Sequence, residues 1–136
     1  HNAEVTDVSE YSNIIDLTGR PFDTQELLFN TDMLISDYSS VYIDYLLLDR
    51  PVLYYAYDYD KYLATDRNLY FDYEEAAPGY IVSDFDELFI RINEICSGGF
   101  AVQDKHYKVK NMFFDTDNQG PVCQKYLDFV DSLSKK

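Results

Sequence analysis

A chain of 136 residues, 46% hydrophobic and 17% aromatic, can bury one real core and is too apolar for a disordered tail. Its formal net charge of −14, with only 11 Lys and Arg, excludes nucleic acid as a partner and repels anionic lipid across the whole surface. Fourteen tyrosines and no tryptophan suggest many rings half buried with their hydroxyls wet. In chain order, Asn13 to Leu17 reads as a first strand and Thr18-Gly19-Arg20-Pro21 as its turn. Asp23 or Thr24 caps a short helix through "TQELLFN", with Glu26 in its first turn. Met33-Leu34-Ile35-Ser36 is too short for a helix and reads as a buried strand. A helix spans Val41 to Leu48, is stopped by Arg50-Pro51, and is followed by a strand from Val52 to Tyr57.

The stretch from Asp58 to Glu75 is acidic, rich in tyrosine and weakly patterned. Ala76-Ala77-Pro78-Gly79 is a turn and Tyr80-Ile81-Val82 a short strand. Ser83 or Asp84 caps the clearest helix, "DFDELFIRINEIC", with Leu88, Ile92 and Ile95 on one face and Gly98-Gly99 at its end. Further helices cover Gln103 to Met112 and Pro121 to Leu133, the latter with proline in its first turn. Strands alternating with helices make a parallel sheet covered on both faces. About four strands is small for a complete doubly wound domain of five or six, so the chain reads as part of something longer. Its start at His1-Asn2, without methionine, agrees.

Cys96 and Cys123 have neither CxxC nor zinc-site spacing and read as reduced, structural thiols of a cytosolic protein. No run approaches the roughly eighteen apolar residues of a membrane span, and no basic and apolar leader opens the chain. The chain therefore reads as soluble, with no cofactor and no metal called for.

In parallel α/β sheets ligands bind beyond the carboxyl ends of the strands. Asp37-Tyr38-Ser39-Ser40 stands there, between a strand and a helix. If Ser39 and Ser40 open the helix, their amides and hydroxyls form a cradle for a phosphate or pyrophosphate. Asp37 suits capping, orienting a serine, or accepting from a polyol hydroxyl, and ordinary helix capping also accounts for all these residues. Arg67 offers a bidentate anion contact or a salt bridge to Asp66, Asp72 or Glu74. His106, among Lys105, Tyr107 and Lys108, reads as solvent-exposed. Asp58, Asp60, Glu74 and Glu75 read as a solvated acidic face rather than a cation site. No Walker loop, GxGxxG motif or Ser–His–Asp order occurs.

"TDMLISDYSSVYIDYLLLDRPVLYYAYDYDKY" and "RNLYFDYEEAAPGYIVSDFDEL" carry a resemblance. The strand-DYSS-helix segment, the "DRP" strand entry, the aspartate-tyrosine stretch and the "R…YFD…PG" segment follow one another from Thr31 to Leu88. Together they resemble the C-terminal half of CDP-glycerol:poly(glycerophosphate) glycerophosphotransferases, the teichoic acid polymerases and primases of bacterial cell walls. The resemblance implies the C-terminal, Rossmann-like domain of a GT-B architecture, with residues 1–136 as a single donor-binding domain facing an N-terminal domain that this chain lacks. It implies CDP-glycerol or a related CDP-polyol as donor, and a polymer or lipid-linked acceptor at the cytoplasmic face of the cell membrane. By the same resemblance Asp37, Ser39 and Ser40 lie at the donor diphosphate and Arg67 beside it as a neutralising charge. The acceptor's general base falls outside this chain, so the isolated piece is expected to be inactive. "GPVC" after Asn118-Gln119 departs from the small residues of the family, which weakens any donor contact at Gly120.

Three other readings remain open at this level, one of them a plain structural module. A GT-B glycosyltransferase using a nucleotide sugar would use the same helix start. A receiver domain phosphorylated on Asp37 would explain "LISD", although the acidic pair and the lysine of that fold are missing.

Overall fold

The computed structural model describes residues 7–65, 71–115 and 120–134. The chain divides into two compact units, His1–Thr31 and Asp32–Lys136. The first carries α1 (Thr24–Phe29), whose cap is Asp23: its carboxylate accepts from the amides of Gln25 and Glu26. The strand expected from Asn13 to Leu17 is absent. Asp16 accepts from the Thr18 amide at 2.8 Å, Arg20 N–H donates to the Leu17 carbonyl at 3.1 Å, and Gly19 takes φ +70°. These turn bonds occupy the backbone, and Ile15 stays 76% exposed.

The second unit holds a three-stranded parallel sheet in the order β1 (Leu34–Ser36), β2 (Val52–Tyr55), β3 (Tyr80–Val82). Leu34 pairs with Val52, and Leu53 with Tyr80. The first crossover is α2 (Val41–Tyr45), which tightens into a 3₁₀ turn at Leu46–Leu48. Asp49 ends it at φ 51°, a left-handed stop before Arg50-Pro51. The second crossover contains α3 (Tyr59–Thr65) and α4 (Tyr73–Ala76), neither of which the acidic stretch announced. After β3 come α5 (Phe85–Cys96), α6 (Asp104–Phe113) and α7 (Val122–Ser134), close to their expected bounds.

The alternation of β2 explains the two-sided core. Leu53 packs with Val82 of β3 and Leu88 of α5, joined by Tyr55, Ile92 and Ile95. On the opposite face, Tyr54 meets the Tyr42 ring of α2 edge-on at 5.2 Å. β2 is thus buried on both sides, as a central parallel strand must be. Helix α5 begins where Asp84 accepts from the Glu87 amide at 2.8 Å, the cap expected from sequence. Cys96 and Cys123 are free and exposed, so neither fills the core.

The tyrosines are drier than the composition implies. Tyr45 and Tyr54 are fully buried, and the Tyr54 hydroxyl has no hydrogen-bond partner among the described residues. Burial, then the neighbouring phenols of Tyr42 and Tyr73, pushes the Tyr54 pKa well up. A raised pKa means that the stability tied to the neutral phenol is fully present below the unfolded value of 10.0 and drains away as pH climbs past it. Tyr54→Phe keeps the ring and removes the unpaired hydroxyl. It is expected to stabilise by about 1 kcal/mol at neutral pH and to move alkaline unfolding to higher pH, both readable by urea titration at several pH values. Equal or lower stability would show that the hydroxyl is satisfied in solution.

Candidate functional site

The loop after β1 stands where the sequence places it, at the carboxyl end of a parallel strand. Asp37, Ser39 and Ser40 are exposed and Tyr38 is partly buried. Asp37 Oδ1 accepts from the Ser39 amide at 3.1 Å, an Asx turn that bends the chain out of the sheet. Ser39 Oγ accepts from the Val41 amide at 3.4 Å, which is long for such a bond. Ser40 takes the N-cap position with helical dihedrals and no side-chain capping bond. The expectation of free amides at Ser39 and Ser40 therefore needs correction at Ser39. Its amide, like that of Val41, is occupied by a side chain from the same loop, while both serines remain exposed.

Below the loop lies a cluster of aromatic rings brought together from three parts of the chain. The Tyr38 ring stacks on Tyr62 at 3.9 Å and lies 6.1 Å from Tyr59, both in α3. It meets Tyr73 of α4 at 5.4 Å, and Tyr73 in turn stacks with Tyr59 at 5.4 Å. Two hydroxyls lock this arrangement to the loop. Tyr38 O–H donates to Asp58 Oδ1 at 3.0 Å, and Tyr73 O–H donates to the Asp37 carbonyl at 2.8 Å. Burial is the main reason both phenols resist ionisation, with the Asp58 hydrogen bond next for Tyr38 and the nearby Tyr38 phenol next for Tyr73. Both stay protonated donors at neutral pH.

Helix α4 is short, so its position is held from outside. Asp72 caps it by accepting from the amides of Glu74 and Glu75 at 2.9 and 3.2 Å. Lys105 of α6 donates to the carbonyls of Glu74 and Ala77, the latter at 2.8 Å. Sequence reasoning missed α4 and the cluster, although Asp72 three residues before Glu75 is a capping-box pattern and Tyr59 and Tyr62 share a helical face.

Arg67 lies outside the described residues. His106 overturns its sequence reading: it is only 5% exposed. Its Nε2 lies 3.1 Å from the Leu46 carbonyl and 3.0 Å from Asp49 Oδ1. Both partners are acceptors, so Nε2 carries the proton. Lys110 Nζ donates to the same Asp49 oxygen at 2.8 Å. This clasp closes the 3₁₀ turn onto α6 and is structural. A cavity of about 260 Å³ adjoins it, lined among others by Arg50, Val52, Gly79, Tyr80 and His106. These residues mark the amino ends of β2 and β3, the wrong end of a parallel sheet for the strand-to-helix loops that hold ligands. Asp58 is committed to Tyr38, and among the described residues no group of three or more His, Cys, Asp or Glu converges on a metal-sized site. Among the described residues, no helix is long and apolar enough to cross a membrane.

The chain is similar to several known proteins. The chain is 36% identical over 114 residues to the teichoic acid ribitol-phosphate polymerase TarL of Staphylococcus aureus, covering 82% of this chain and 18% of TarL. It is 41% identical over 80 residues to the teichoic acid poly(glycerol phosphate) polymerase of Bacillus subtilis, covering 59% of this chain and 11% of that protein. A solved structure of the wall teichoic acid polymerase TagF, a histidine-to-alanine variant, superposes with TM-score 0.73 at 34% identity. A histidine-to-asparagine TagF soaked with CDPG superposes with TM-score 0.66 at 33% identity. Each superposition covers 96% of this chain and 32% of TagF, so the chain spans about a third of the solved relative and less of the curated ones. The family model for CDP-glycerol:poly(glycerophosphate) glycerophosphotransferases matches residues 1–130. With its parallel α/β sheet and its serine loop after β1, the chain belongs to that family.

Proposed function

We propose that the chain is the donor-binding part of a polyol-phosphate transferase that moves glycerol phosphate, or a related polyol phosphate, from a CDP-linked donor to a hydroxyl of a cell-wall or surface polymer. In this reading residues 1–136 form the C-terminal, Rossmann-like domain of a GT-B enzyme, and an N-terminal domain supplies the acceptor side. The full-length protein works peripherally at the inner face of the cell membrane. The observation that carries the reading is the coincidence of two facts. The exposed serine pair sits at the carboxyl end of β1, and the chain superposes over 96% of its length on a polymerase structure soaked with CDPG.

The chemistry follows from the loop. The acceptor oxygen bonds to the β-phosphorus, the bond from that phosphorus to the bridging oxygen breaks, and CMP leaves with the electron pair. The acceptor proton passes to a base outside this chain. Charge grows on the phosphate oxygens during transfer, and hydroxyl and amide donors stabilise it. Ser39 Oγ can turn from its long bond with the Val41 amide, freeing that amide for a phosphate oxygen. Asp37, bonded to the Ser39 amide, holds the turn, and by resemblance lies with the serines at the donor. Arg67 is assigned the neutralising role by resemblance.

Calorimetry of the full-length protein tests this reading. CDP-glycerol or CDP-ribitol is expected to bind, with UDP much weaker. Ser39→Ala combined with Ser40→Ala is expected to weaken donor binding by about tenfold or more, because hydrogen bonds to charged groups are the stronger kind. Equal affinity for UDP and CDP would remove the cytidine assignment, and unchanged binding by the double variant would remove the loop.

A further inference from the structure

We infer that Tyr73 and Tyr38 are positioning residues, which set the shape in which the Asp37–Ser40 loop meets the donor phosphates; this rests on the donor-binding reading above. The loop is gripped at two consecutive residues by groups far along the chain. Tyr73, 5% exposed, donates to the Asp37 main-chain carbonyl across 36 residues of sequence. The Tyr38 ring is stacked on Tyr62 with an interplanar angle of 18°, and its hydroxyl is tied to Asp58. Ser39 and Ser40 follow at once and are exposed. With the preceding two residues anchored, the serines have little backbone freedom left to lose when a ligand binds. Such preorganisation raises affinity without a new contact.

Filling space beneath the loop does not by itself need these hydroxyls. Phenylalanine would fill the same space at residue 73 and stack as well, yet the Tyr73 hydroxyl engages the one carbonyl that begins the loop. The anchor is itself braced, since α4 is capped by Asp72 and held by Lys105. The line of support runs from α6 through α4 and Tyr73 to the loop.

Steady-state kinetics of the full-length protein, with CDP-glycerol and CDP-ribitol as donors, provides the test. Tyr73→Phe removes one hydrogen bond and keeps the ring. Donor KM is expected to rise about three- to tenfold with kcat nearly unchanged, the signature of lost uniform binding. Tyr38→Phe moves KM the same way. Leu88→Val, in the core between α5 and the sheet, lowers stability and leaves donor KM alone. An unchanged KM in Tyr73→Phe overturns the inference, as does an equal rise in Leu88→Val. Ser39→Ala with Ser40→Ala, measured alongside, separates the two failures. If the serine pair raises KM and Tyr73→Phe does not, only the positioning role falls. If the serine pair has no effect, or neither donor is turned over, the donor-binding reading falls and takes this inference with it.

Discussion

Gly79→Ala is expected to destabilise the chain by about 3 kcal/mol, lowering Tm by roughly 10 °C. A β-carbon at Gly79 would lie 2.1 Å from the Val52 carbonyl oxygen and 3.1 Å from the Tyr54 ring. The first neighbour is backbone in the central strand, and rotating a side chain cannot relieve it. The segment leading into β3 has to shift off β2, straining the register that pairs Leu53 with Tyr80, and the Tyr54 ring, packed on Tyr42 and Tyr73, is crowded as well. Gly19→Ala makes the useful contrast. There the space is open but φ is +70°, so the cost is conformational and about 1 kcal/mol. Thermal unfolding of both variants decides the matter: if Gly79→Ala is no worse than Gly19→Ala, the close approach of β3 to Val52 is wrong.

His106→Ala is expected to cost about 2–4 kcal/mol through a different mechanism. The imidazole is buried beside Val109, and its loss opens a cavity while stripping a donor from the Leu46 carbonyl and from Asp49. Asp49 keeps Lys110, so the charge is not abandoned, but the left-handed residue that ends the 3₁₀ turn loses its brace. His106→Gln retains a donor on a flexible stem and is expected to recover part of the loss. Donor affinity of the folded protein should be unaffected, because the clasp sits with the amino-end cavity and not at the Asp37–Ser40 loop. A folded His106→Ala protein with intact stability and weakened nucleotide binding would reverse the assignment and make this histidine part of the site.

The elements that could be read in advance share one property: their signals are local. Asp23 and Asp84 cap the helices that follow them, Gly98 with φ +85° ends α5, and Leu88, Ile92 and Ile95 repeat at helical spacing. Each of these signals acts within about four residues, the span of a helical turn. The same range of interaction explains the error at Asn13 to Leu17. The aliphatic run there matches a strand, but a strand forms only against a partner. The Asp16 carboxylate and Gly19 instead spend the backbone on turns. Helices α3 and α4 went unseen because they are only seven and four residues long, too short to show a clear apolar period. Contacts made at a distance, such as Lys105 to the end of α4, hold them.

Residues alone were enough to establish the βαβ unit, the position of Asp37, Ser39 and Ser40 on its strand-to-helix loop, and the likeness that leads to the family. Folding in three dimensions decided which of fourteen tyrosines meet beneath that loop, and that His106 faces Leu46 and Asp49 rather than water. The reason is the reach of the forces involved. Caps, breaks and apolar periods are written in neighbouring residues, whereas a hydrogen bond from Tyr73 to Asp37 spans 36 residues and exists only once the parallel strands have fixed where α2, α3 and α4 lie.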